Sequence, residues 1–372
     1  MKEIPNQVEV TDKGWWAADI GDYLKVIANG MVMFQPIISM AVKTNLSIEQ
    51  LKVFASFYNF VKFTSPAFIF GIVFTVIRQS GNRKDLNLQV YCKDQWANNF
   101  VPTIIWTLVY LLIMPNLQQH GHYYNLASFF WQFITGNAAP HLWYSVMMLQ
   151  FLIIMPIIKS VTVYVGNDLC RLGGTVIGIG IVYFSWLVFY DCFNFSGKGN
   201  GNWYLLDRCF LSFLIFGFYG GLAWNFHHQI QSLLFHYWWL VIGFYLLMYA
   251  WTRYIFISAH HLTDLLDDTY YRPSMAIYAL AVIILIYLIC IVQKVYRMQR
   301  CLKIIHYLAF YAYRAFLANV FWDRILWYTG GMRLTLKATP YLTVFITWLL
   351  TWLLSYLSVY LCHQLWLSLV KR

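Results

Sequence analysis

Residues Asn137 to Ile158 read NAAPHLWYSVMMLQFLIIMPII, and this stretch decides the fold class. It opens on a turn-forming Asn-Ala-Ala-Pro. From His141 it stays apolar long enough to cross a bilayer, with Gln150 as the polar residue in its middle and Pro156 near its far end. A soluble surface helix carries a charged face at 3.6-residue spacing. None is present here, so the solvent of this segment is lipid or other apolar helices. Pro140 fixes its start, and Trp143 and Tyr144 are the aromatics expected where a span meets the headgroups.

The rest of the chain repeats the pattern. Of its 372 residues, 60% are hydrophobic and 20% aromatic. Only 11% are charged, against about 25% in a soluble domain. Mean hydropathy is +0.56. Backbone groups in lipid must be satisfied internally, which leaves helices or a closed barrel. Barrel strands alternate apolar and polar residues, whereas these runs are continuous, so the chain is expected to be an all-α polytopic membrane protein. Its spans are expected near 23–42, 53–77, 99–114, the opening stretch prolonged to Val165, 173–190, 203–224, 233–251, 274–293, 304–322 and 341–366, about ten in all. A polar segment, 1–22, precedes the transmembrane domain at 23–366, and a short tail, 367–372, follows it. The N-terminal segment lacks a basic-then-apolar leader, so no cleavage is expected. The apolar piece 129–134 reads as a helix lying in the interface.

The net charge of +11 does not point to nucleic acid. Lys and Arg fall mainly in short loops between spans: Arg78 to Lys93, Arg171, Lys294 to Lys303 and Lys371-Arg372. Placing those loops inside puts both termini in the cytoplasm of a plasma-membrane protein and the acidic loop around Asp264 to Asp268 outside. The seven cysteines show no CxxC or Cys/His ligand spacing, so they read as free thiols and no metal is expected.

Charge inside a span is costly and faces the bundle interior or a wet cavity. Lys62, Arg314 and the pair Asp207-Arg208 are such residues. They suit the phosphates of a nucleotide-bearing donor or an anionic glycan carrier, or else neutralise one another. Arg314 is expected to pair with Asp207.

Four patches in order resemble the membrane acyltransferase-3 family, whose bacterial members O-acylate cell-surface glycans. They are Asp22 to Ala28 at the start of span one, Phe63 to Gly71 in span two, Asn99 to Trp106 in span three and His141-Leu142-Trp143-Tyr144 at the entrance to span four. The resemblance implies an acyl-CoA co-substrate, acetyl-CoA foremost, arriving from the cytoplasm, and a sugar hydroxyl on an exported glycan as acceptor. The sequence departs from the family at named places. Pro36, beside Gln35, stands where the family carries its span-one His. Gln95 and Asn98 are neutral where it carries basic residues. Asn319 stands at the late His position. Neither Gln35 nor Asn319 takes a proton at neutral pH. His141 is therefore the expected general base, with Lys25, Gln35, Lys62, Trp143, Asp207, Arg208, Arg314 and Asn319 as the expected binding residues. The alternative is a member without chemistry, a transporter or export accessory for a glycan or lipid-linked sugar.

Overall fold

The computed structural model describes residues 18–80, 88–192, 204–258, 270–331 and 339–370. Every regular element among them is helical. The first two spans are each broken in two. α1 (Ile20–Val32) and α2 (Phe34–Ala41) part at Met33, and α3 (Ile48–Phe60) and α4 (Thr64–Ser80) part at a turn over Val61, Lys62 and Phe63. The cause is legible in the chain. Pro36 and Pro66 each occupy the third position of the following helix, where the missing N–H is tolerated. Each thereby withholds a hydrogen bond from the carbonyl four residues back, that of Val32 or Lys62.

The chain continues as α5 (Leu88–Gln95), a π-helical turn (Trp96–Phe100), α6 (Val101–Ile113), α7 (Leu126–Thr135), α8 (Leu142–Val165) and α9 (Leu169–Tyr190). Two 3₁₀ turns (Tyr204–Arg208 and Phe210–Phe213) lead into α10 (Leu214–Asn225). Then follow α11 (His227–His236), α12 (Trp238–Ser258), α13 (Pro273–Val295), α14 (Gln299–Leu326) and α15 (Pro340–Val370).

Among the described residues, eight helical segments are long and apolar enough to cross a membrane. They match eight of the expected spans. The other two are helical for different reasons. The segment at 203–224 resolves into the turns and a shorter apolar helix, Phe210–Asn225. α14 has 28 residues, long enough to cross, but carries His306, Arg314, Asp323 and Arg324. It packs on α1, α6 and α15, so protein rather than lipid receives much of its surface.

The surface has the polarity of a lipid-facing one. Ile177, Ile181 and Val188 of α9 are exposed, as are Leu246 and Leu247 of α12 and Leu353 and Leu357 of α15. α7 covers the apolar piece 129–134, which is helical as expected. Its Leu126, Phe130, Trp131 and Ile134 face outward, while Gln132 and Thr135 are buried. Gly136 closes it with φ of 72°, the left-handed conformation that suits glycine at a helix C-terminus.

At the centre lies α4, buried along almost its whole length and gripped by α1 on one side and α10 on another. Glycines set both approaches. A Cβ on Gly71 would lie 2.9 Å from Leu24 Cβ, and one on Gly220 would lie 2.7 Å from the Phe70 carbonyl oxygen. Small residues of this kind let helix backbones come together in a membrane.

Candidate functional site

Two polar centres sit at opposite ends of α1. The first is built where the two helix breaks meet. Gln35 Nε2 donates to the Val61 carbonyl (3.0 Å) and to Thr64 Oγ1 (2.8 Å), so a side chain of one broken span satisfies the loosened backbone of the other. Tyr270, just before α13, donates from Oη to Gln35 Oε1 at 3.1 Å. Lys62 lies within the α3–α4 turn and is 6% exposed. Its Nζ donates to Tyr58 Oη at 3.2 Å. It also sits 4.5 Å from the centre of the Tyr58 ring and 4.7 Å from that of Tyr270. Trp143 packs on Tyr270 with ring centres 5.9 Å apart. Gln35, Trp143 and Tyr270 are each half-buried.

The adjacent Tyr271 extends the arrangement. Its Oη donates to the Asp207 carbonyl at 3.0 Å. Asp207 pairs with Arg208 (3.6 Å), and Arg208 Nη1 donates to the Thr135 carbonyl at the end of α7 (2.6 Å). Gln150, the polar residue of the opening stretch, holds this turn in place. It donates to the Arg208 carbonyl (2.7 Å) and accepts from the Phe210 amide (3.1 Å). Outside the spans, partial burial, helped by the Arg208 charge, holds His120 below the ordinary imidazole range.

His141 lies one layer deeper. Tyr110 and Phe316 each pack edge-on against it at 5.2 Å. Its Nε2 is 3.3 Å from the Leu317 carbonyl. A carbonyl only accepts, so Nε2 carries the hydrogen and Nδ1 holds the lone pair. Nδ1 is buried and has no hydrogen-bond partner among the described residues.

The second centre closes the other end of α1. Asp19 caps the helix, accepting from the Asp22 amide at 2.8 Å, and its other oxygen pairs with Arg78 at 2.8 Å. Asp22 is almost fully buried and pairs with Lys25 (2.9 Å) and with His306 Nδ1 (2.8 Å). His306 and Arg78 keep partial exposure, with side chains 42% and 29% accessible. Lys159 of α8 donates to Ser80 Oγ nearby in the fold, at the end of α4 (2.7 Å).

The structure thus gathers Gln35, Lys62, Trp143, Asp207 and Arg208 around the Tyr270-Tyr271 pair, and puts Lys25 in the opposite centre. Two expected residues join neither. Arg314 is half-buried and donates to Asn98 Oδ1 at 3.1 Å. The expected Arg314–Asp207 pair is not formed, because Asp207 is taken by its neighbour Arg208. Arg314→Met is accordingly expected to cost no more than about 1 kcal/mol, with no rescue from reversing both charges. Thermal unfolding in detergent measures this, and a collapse of the fold in Arg314→Met would restore the buried-pair view. Asn319 is buried on α14, and its Oδ1 has no hydrogen-bond partner among the described residues.

The sequence reading passed over His306, Arg78 as the partner of Asp19, and Tyr270. The available signals were an acidic pair three residues apart at the head of a span and a Tyr-Tyr doublet before Pro273. No group of three or more His, Cys, Asp or Glu residues able to hold a metal occurs among the described residues. Compared with protein-family models, curated proteins and solved structures, the chain matches none of them.

Proposed function

We propose that this protein is an acyltransferase-3-like membrane enzyme that moves an acetyl or other acyl group from acyl-CoA to a hydroxyl of an exported glycan. One observation carries the reading: a single broken span bears a centre of Lys25, Arg78 and His306 set against Asp19 and Asp22 at its start, and an aromatic, cationic centre at its break. In this reading Lys25, Arg78 and His306 meet the phosphates of the donor, and Gln35, Lys62 and Trp143 meet the sugar. Lys25 and Gln35 are roughly 15 Å apart along the helix, a reach suited to the pantetheine arm of coenzyme A. The acceptor O–H gives its proton to His141 Nδ1. Its oxygen bonds to the thioester carbon, the C–S bond breaks and the CoA thiolate takes up the proton. The reading is tested by the O-acetyl content of surface glycans in cells with and without the protein, together with CoA release by the purified chain. Unchanged glycans and no CoA release would reject it.

A second reading draws on the neutral Gln35 and Asn319 and on the enclosure of His141. It is a bundle of the same kind that binds or passes a lipid-linked sugar without chemistry. Binding of acetyl-CoA without turnover, or no binding at all, favours it.

The basic loops support cytoplasmic termini in a plasma membrane. Cys170 and Cys192 flank α9 at opposite ends and both are exposed. In chains retaining one cysteine each, a membrane-impermeant maleimide applied to intact cells is expected to label Cys192 and spare Cys170. The converse result would invert the orientation.

A further inference from the structure

We infer that Lys62 is the seat for the acidic group of an anionic saccharide, and that Tyr58, Tyr270 and Trp143 form the apolar walls for its ring. The inference rests on the outer acceptor centre proposed above and specifies the class of acceptor: a sugar bearing a carboxylate, or one attached through phosphate.

The argument begins with the cost of the residue. A buried ammonium without a counter-charge is strongly destabilising, by several kcal/mol in order of magnitude. Lys62 is buried and forms no ion pair among the described residues. Of its three N–H donors, Tyr58 Oη accepts one. The ring faces of Tyr58 and Tyr270 stabilise the charge by cation–π attraction without neutralising it. Lys25, Arg78, Arg208 and Arg324 each have an aspartate within 4 Å, a counter-charge that Lys62 does not have among the described residues.

Position adds a second line. Lys62 occupies the turn between two half-helices. Irregular backbone at membrane depth is tolerated where it is buried in protein or lines a wet cavity. The first turn of α4 begins two residues later, and its N-terminal dipole favours negative charge. Gln35 and Thr64 add neutral hydrogen-bonding groups suited to hydroxyls. Half-buried Trp143 and Tyr270 add aromatic surface of the kind on which the C–H face of a pyranose packs.

The test uses the purified full chain in lipid nanodiscs without acyl-CoA, so it is independent of any transfer activity. The probes are glucuronate, glucose 1-phosphate, glucose and inorganic phosphate, read by calorimetry and by the unfolding temperature. Glucuronate or glucose 1-phosphate is expected to bind at least about tenfold more tightly than glucose, in line with a charge-assisted hydrogen bond. Which of the two prevails tells a carboxylated sugar from a phosphate-linked one. Lys62→Met is expected to unfold at a higher temperature than the wild type and to lose the preference for anions, and Lys62→Arg to keep it. Tyr270→Leu is expected to weaken both anionic sugars and leave inorganic phosphate unaffected, which keeps a test in hand should Lys62→Met fail to fold. Equal binding of glucose and glucuronate, no binding of any probe, or undiminished anion binding by Lys62→Met would overturn the inference. Inorganic phosphate binding as tightly as glucose 1-phosphate would overturn its saccharide part.

Discussion

Replacing His141 by glutamine is expected to lower acyl transfer about 10²- to 10⁴-fold, the usual cost of losing a positioned general base, and to leave the protein folded. Both halves of that expectation come from the surroundings of the ring. Its Nε2–H is anchored on the Leu317 carbonyl, which fixes the tautomer and leaves the Nδ1 lone pair without a donor among the described residues. An unsatisfied acceptor at such depth calls for an explanation, and an incoming O–H group supplies one. The fold is protected because the Leu317 carbonyl also accepts from Tyr110 Oη at 2.8 Å, so removing the imidazole does not orphan it. Glutamine can keep the anchoring bond but cannot take the proton. His141→Gln therefore separates chemistry from packing in a way that His141→Ala does not. The measurement is glycan O-acetylation in cells together with the chromatographic profile of the purified variant. A folded His141→Gln protein with wild-type transfer would remove His141 from the mechanism. His306, oriented by Asp22 and half-exposed, would then be the next histidine to test.

How much of this was readable beforehand depends on the range of the interaction involved. Local rules sufficed to place eight of the ten expected spans. The opening stretch is α8, beginning at Leu142 with His141 as its cap residue. Pro36 and Pro66 mark both breaks because the loss of an N–H acts within one turn. The clustering of Gln35 with Lys62 was not readable. It requires the α1–α2 break to stand beside the α3–α4 break, and no local pattern sets that register. The pairing of Asp22 with His306 spans 284 residues, and His306 on its own is an unremarkable polar residue near the start of a helix. The misassigned Arg314 shows the same limit from the other side. Its charge implied a partner, but only packing could choose between Asp207 and Asn98. Tyr270 carries no local signal of its role, because its partners Gln35, Lys62 and Trp143 lie on other elements.

A valine at Gly71 is expected to prevent the bundle from forming. The Cβ alone would stand 2.9 Å from Leu24 Cβ and 3.0 Å from the Gly21 carbonyl oxygen, closer than packed atoms settle. α4 has no room to retreat, because on another face Gly220 of α10 is packed against its Phe70 backbone. Overpacking in a core that can relax costs about 1–3 kcal/mol. Here the obstacles are backbone and Cβ atoms on helices held from both sides, so the cost belongs at the top of that range or beyond it. Moving α1 off α4 also pulls Asp19 from Arg78 and draws Gln35 away from Val61 and Thr64, so both polar centres loosen together. The check is the yield of monodisperse protein and its unfolding temperature in detergent. Gly173→Ala and Gly178→Ala serve as controls, since an added Cβ at either meets nothing within 4 Å. Gly71→Val should give little or no folded material while both controls match the wild type. If Gly71→Val instead melts with the wild type, α1 and α4 are not in the close contact on which both centres depend, and the two-centre architecture fails with it.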